Sequence, residues 1–480
     1  MKVNKFNLLA VGMLVLSSTA YADLKNDKIT LKPNMTLQYN TKQKSVDSLS
    51  DMFSEGEFFG RFRVNTFKWD WSKSAAGRDN KALGVGGSIV YRSAKLNGLS
   101  TTVGLYTSQN PSFYRMDLDK IDSVKAGKDT FSRADTQATG NFGMSVLGQA
   151  YLQYDISKIS LKVGRQLFES VFTKSNDTKM IPNTFDGVSA TIKELPQTTI
   201  QLGYFTAQKL RDHTTSHDVI AVNGWIENDD SAINKSLTTA LIGNDNELLI
   251  ASFTNKSIKN LKANVSMASV PDVLHNITLE AHYTIPVGGN WKVAPGIRYM
   301  MQIDGLDANV AVASLKGDTS GYKDINDLDS SLVAARVDVK DNAFLFRLGY
   351  SEISDKADII APWRGFPTGG FTRAMAQYNW YANTKTYMAR VGYNFDKAGI
   401  LEGFNIFARY AVQDFDDKKD AVQADSDILH IDAMQNIGKN LQAKVRVGLV
   451  RADDKILKSD LTYKTDVSYN EYRFELNYFF

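Results

Sequence analysis

Residues 471–480 read EYRFELNYFF, with Tyr472, Phe474, Leu476, Tyr478 and Phe480 apolar or aromatic at every second position and Arg473, Glu475 and Asn477 between them. Successive side chains of an extended chain point to opposite faces, so this period predicts a strand with one greasy face and one charged face. The alternation recurs along the chain. Phe62 and Val64 oppose Arg61, Arg63 and Asn65; Leu152, Tyr154 and Ile156 oppose Gln153 and Asp155; Ile277, Leu279, Ala281 and Tyr283 oppose Thr278, Glu280 and His282. Similar runs begin near Trp291, Leu332, Ala343, Tyr387, Phe404 and Ala443. Each is about ten residues long, the length of a tilted strand through a bilayer.

Half-buried strands of soluble sheets alternate in the same way. The N-terminus separates the two cases. Lys2 and Lys5, the apolar stretch LLAVGMLVL at 8–16 and the small-aromatic-small Ala20-Tyr21-Ala22 form the three parts of an export signal, with cleavage expected before Asp23. Nine apolar residues fall short of the about 20 that a spanning helix needs. Beyond the leader no stretch approaches a membrane helix, so a membrane location requires a barrel, the other structure that satisfies its own backbone hydrogen bonds in lipid.

The connections support this. Short ones such as 340–342 alternate loosely with long polar ones such as DFDDKKDAVQADSD at 414–427, as periplasmic turns and outer loops would. Tyr283, Trp291, Tyr350, Tyr393 and Tyr478 sit near strand ends, where membrane barrels carry aromatic girdles. The chain divides into a signal peptide at 1–22, an N-terminal extension of unassigned structure at 23–56, and an all-β transmembrane barrel at 57–480.

Composition narrows the function. Removing the two leader lysines takes the net charge from +3 to about +1, so no global field draws nucleic acid. The absence of cysteine excludes thiol catalysis, disulfides and thiolate metal sites. The chain has no GxSxG, HExxH or phosphate-binding glycine loop, and its five histidines are scattered. His213 and His217 lie four apart, a spacing that shares a face only on a helix. The acidic run 324–330 lacks the glycine and terminal glutamate of an EF-hand. No cofactor, metal or catalytic residue is assigned.

Opposite the apolar phase lie Arg61, Arg63, Arg298, Arg336, Arg347, Arg390, Arg409, Lys444, Arg446 and Arg473, together with Asp155, Glu280, Asp338, Asp396, Glu471 and Glu475. Bases outnumber acids and come mostly from the C-terminal half. One reading is a basic stripe that concentrates anions in a watery lumen. The other is that acids and bases simply pair across the lumen.

The segment LKVGRQLFESVFTKSNDTKMIPNTFDGVSATIKE at 161–194 resembles the OprD-like family of outer-membrane porins, as do HYTIPV at 282–287, AQYNWYANTKTYMARVGYNF at 376–395, IFARYAVQDFD at 406–416, AKVRVGLVRAD at 443–453 and NEYR at 470–473. These matches run in the family's order through most of the chain after about residue 58. The resemblance implies eighteen strands, one loop folded inward at roughly 170–185, a basic wall, and passive uptake of small carboxylate-bearing solutes. It carries Arg63, Arg390, Arg409, Lys444 and Arg446 onto that wall, beside Arg473 from strand phase. Lys174 and Lys179 would attract an anion at the constriction, while Asp177 and Asp186 keep it from being trapped. Asp155 stands where the family tends to place a base. The partners expected are small solutes, outer-membrane lipid and lipopolysaccharide, and the barrel-assembly machinery acting on the terminal strand. Whether barrels stand alone or as a homotrimer stays open. The rival readings are an outer-membrane enzyme and an adhesive or structural barrel. A transporter with a plug and 22 strands needs a longer chain.

Overall fold

The structure, a computed structural model, describes residues 26–71, 78–123, 130–224, 232–307, 309–375, 377–453 and 455–480. The expected leader at 1–22 lies outside the described residues. Among the described residues, eighteen strands form one closed antiparallel barrel. It begins with Glu57–Trp71 and ends with Tyr469–Phe479, which pair with each other in a register that sets Phe62 opposite Tyr478 and Arg63 opposite Asn477. Phe480 continues the seam: its carbonyl accepts from the Gly60 amide at 3.0 Å. Glycine is required there, because a Cβ at Gly60 would lie 2.0 Å from the Ser88 carbonyl oxygen on the next strand.

The faces follow the alternation. Leu152 is 54% exposed, Val163 55% and Phe62 61%, a degree of apolar exposure that suits lipid and not water. On the same first strand Arg61, Arg63 and Asn65 are buried inside. Tyr283, Trp291 and Tyr478 are exposed near strand ends.

Short turns gather at one end of the barrel. In one of them Asp341 accepts from the amides of Ala343 and Phe344, which joins Ser330–Lys340 to Phe344–Ile353. The long connections gather at the other end. Among them, 167–183 and 354–384 fold into the barrel. Trp363 and Trp380 of the second loop pack with Phe172 of the first and with Phe185, Phe205 and Leu332 of the wall. These apolar loops fill the lumen against the strands between Thr184–Ile192 and Phe344–Ile353. Open space is left against the C-terminal strands and the first strand.

The extension before residue 57 is not a barrel strand. Ile29–Leu31 and Leu37–Tyr39 form a two-stranded hairpin of their own. Its Ile29 packs on Phe479, and Tyr39 stacks on Phe59 with ring centres 4.3 Å apart. Ser45–Val46 then pairs with Lys95–Leu96 at the short-turn end.

Candidate functional site

Among the described residues, two cavities of the lumen share no lining residue. The outer one, about 580 Å³, is lined by the long loops and the C-terminal strands. The inner one, about 480 Å³, is lined by strand ends near the short turns and by the N-terminal hairpin. The septum between them is the loop 167–183: Asn176, Thr178 and Lys179 face the outer chamber, Lys174 and Asp177 the inner.

The septum is tied on three sides. Asp177 receives Arg63 at 2.9 Å and is also bridged by Arg61, while Asn65 donates to the Lys179 carbonyl at 3.0 Å. Across the lumen, the Lys174 amide donates to the Trp363 carbonyl at 3.0 Å, and Asn176 donates to the Arg364 carbonyl at 2.8 Å. From the inner side, the Glu169 carboxylate accepts from Asn34 at 2.7 Å and from Lys32 at 3.3 Å, both on the hairpin. The Met35 carbonyl on the hairpin accepts from Arg61 at 3.0 Å. The hairpin therefore sits inside the inner mouth and touches both wall and septum.

The expected wall residues lie inside, but most are neutralised. Arg63 is shared by Asp177 and Glu475, the latter at 2.8 Å. Arg446 forks onto Asp432 at 2.6 and 2.7 Å, Lys444 reaches the same carboxylate at 3.2 Å, and Arg473 holds Glu471 at 2.7 Å. At these four positions the pairing alternative describes the contacts. Arg390 lies over the Phe407 ring at 4.3 Å, and Arg409 donates to the Arg373 carbonyl at 2.8 Å. Lys179 and Arg473 cover the Phe67 ring, each 4.3 Å from its centre, so the septum and wall bring like charges onto one aromatic.

Three expectations are corrected. Asp186 does not belong to the inward loop. It lies on Thr184–Ile192, paired with Arg165 at 2.7 Å on the face shared with the exposed Val163, because the strand has already begun at Thr184. Asp396 is a turn residue whose carboxylate accepts from the Gly403 amide at 2.8 Å. Asp155 is held by Lys95 at 2.6 Å near the short turns, which removes it as an opponent of the outer basic chamber.

The second inward loop supplies what the sequence reading missed. Arg364 meets Asp212 at 3.2 Å. Arg373 lies over Phe366 with its guanidinium carbon 3.6 Å from the ring centre. Burial, reinforced by the charges of Arg211, Arg364 and Arg446, pushes Arg373 down to about 9. Among the described residues, eleven lysines and arginines line the outer chamber against two aspartates. In the inner chamber, burial draws the Lys174 ammonium below the usual lysine range, with Glu169 as its counterweight. Charge of one sign in a narrow watery space raises the local concentration of the other sign. Among the described residues no cluster of histidines and carboxylates has a metal-ligand arrangement.

A family model for outer membrane porins of the OprD family matches residues 112–479. No curated protein matches the chain in sequence. Among solved structures, OccAB3 of Acinetobacter baumannii is similar at 18% identity and TM-score 0.69, over 89% of this chain and 100% of that one. OpdQ of Pseudomonas aeruginosa is similar at 16% identity and TM-score 0.64, over 88% and 98%. OpdK of Pseudomonas aeruginosa, solved with vanillate, is similar at 13% identity and TM-score 0.64, over 89% and 99%. At such identities the likeness is one of fold.

Proposed function

The chain belongs to the OprD family of outer membrane porins, and from that premise we propose that it passes small carboxylate-bearing anions by passive diffusion through the two chambers. The observation that carries this reading is the outer chamber, where the described residues set eleven lysines and arginines against two aspartates directly above the septum. Such a mouth draws carboxylates in. The septum then sets a size limit, and its own carboxylates keep affinity low enough for release. The presence of vanillate, an aromatic carboxylate, with the similar OpdK supports the same substrate class. No reacting group or cofactor is needed, since the concentration gradient drives transport. On this reading the leader at 1–22 directs export, and the terminal strand is what the assembly machinery reads.

The test is single-channel current from purified protein in a planar bilayer under a chloride gradient, before and after a small carboxylate such as benzoate is added. The expected result is discrete steps, a reversal potential on the anion side and brief interruptions by benzoate. Steps with cation preference and no interruption would overturn the carboxylate reading and leave a general pore.

A further inference from the structure

Several cations of the outer chamber are held by buried acids. Arg446, Arg473 and Arg364 lean on Asp432, Glu471 and Asp212, which lie behind the chamber surface. Arg373 has no such support. Its guanidinium rests on the Phe366 ring, its Nε has no hydrogen-bond partner, and no carboxylate of the described residues reaches it. Its remaining face opens on the chamber. The largest electrostatic influences on it are Tyr378, which favours its charged form, and Arg211, Arg364 and Arg446, all of its own sign.

An aromatic face attracts a cation but does not neutralise it. The fold therefore holds a guanidinium among like charges, with no carboxylate of the described residues on it, at the point where the second inward loop meets the open space. Even counting the three acids behind the surface, the described cations exceed the described acids by six. An entering anion relieves this in proportion to its charge, because each ion-ion term scales with the product of charges. The planar fork of arginine matches a carboxylate or phosphate through two parallel hydrogen bonds.

We propose that Arg373, rather than the wall, is the anion-selecting residue of the outer chamber, and that the chamber favours small anions carrying two or more negative charges over singly charged ones. The proposal rests on the reading of the chain as an anion-passing porin and refines its substrate class. The wall bases Arg446 and Arg473, paired with acids, shape the chamber, and Arg373 supplies an open charge beside them. Dicarboxylates and phosphate share the required chemistry.

The test compares block of single-channel current by succinate, butyrate and inorganic phosphate at slightly alkaline pH and low salt, where screening is weakest. Wild type is expected to be blocked by succinate at concentrations about tenfold lower than by butyrate, the factor of one charge-assisted hydrogen bond. Arg373→Gln removes that ratio in a channel that still conducts, and Arg373→Lys, which keeps the charge but not the fork, restores part of it. A purely structural role for Arg373 would alter conductance and not the ratio. Phosphate blocking as well as succinate assigns the preference to charge alone, and succinate alone assigns it to paired carboxylates. An unchanged ratio in a conducting Arg373→Gln channel overturns the proposal. So does a wild-type channel that is anion-selective yet treats succinate and butyrate alike, a result that holds even if the glutamine variant fails to insert. A wild type without anion preference fails at the earlier reading instead.

Discussion

Arg63 on the first strand and Asp177 on the inward loop meet at 2.9 Å, although 114 residues separate them. The same guanidinium donates to the Asp177 carbonyl at 2.9 Å and to Glu475 at 2.8 Å. Its donors are spent on holding the septum, with side chains that are almost wholly buried. Asp177→Asn leaves Arg61 and Arg63 facing each other with one anion fewer, and breaking a buried pair costs about 3 kcal/mol. A lower thermal transition and a larger, noisier conductance step are expected. A variant with a quiet, wild-type step would show that the contacts to 354–384 hold the loop alone.

Those contacts give a second prediction. The Gly365 amide donates to the Phe172 carbonyl at 2.8 Å, so the two inward loops touch backbone to backbone. A Cβ at Gly365 would stand 2.1 Å from the Phe172 carbonyl carbon and 2.3 Å from the Val171 oxygen. No flexible side chain is there to yield. Gly365→Ala must therefore part the loops, at a cost of about 1–3 kcal/mol typical of overpacking. The barrel itself is untouched, so strand content by circular dichroism should stay the same while hydrogen exchange quickens over 170–183. Equal protection in the variant would count against the loop contact.

How far the sequence carries follows from what each segment must satisfy. Wall strands face lipid on one side and lumen on the other, and that constraint is strict enough to fix the phase of Arg61 and Arg63 against Phe62. Inward loops obey no period. Yet 362–371, PWRGFPTGGF, holds two of nine prolines and three large aromatics, which is too apolar for a solvated outer loop and could have marked it for burial. The hairpin was legible too: Ile29, Leu31, Leu37 and Tyr39 alternate on either side of Lys32-Pro33-Asn34. Ion pairing was not. Whether Arg446 meets Asp432 depends on register between neighbouring strands, here Asp432 opposite Arg446, and on which acids share the inner face. Asp186 went astray for a related reason, since a boundary shift at Thr184 turns a loop residue into a wall residue on the other face.

The hairpin narrows the inner mouth, so removing it should widen the path. Deletion of residues 26–40 spares the Ser45–Val46 attachment and every barrel strand. It takes away Tyr39 from Phe59 and the Met35 carbonyl from Arg61. The expected result is a higher single-channel conductance with anion preference retained, because the outer chamber keeps all its cations. Unchanged conductance would place the narrowest point elsewhere along the path.

Glu169 links that hairpin to the septum, and its titration gives the link a pH dependence. Burial alone would raise its pKa, but the charges of Lys32 and Lys174, with the Asn34 hydrogen bond, outweigh burial and hold it below the ordinary 4.5. A carboxylate whose folded pKa is depressed contributes stability that is present above the unfolded value and lost as pH falls through the folded one. The Glu169 link to the hairpin is therefore intact at neutral pH and lost only below 4.5. Conductance should stay flat from about pH 7 down to about pH 5 and rise at lower pH. Glu169→Gln should reproduce the acid behaviour at neutral pH, since each hydrogen bond to the charged group is worth about 1.5–3 kcal/mol. In the protein lacking residues 26–40 the acid response should vanish, because the carboxylate then has no hairpin to hold. An acid response that persists in that protein would assign the titration to another group.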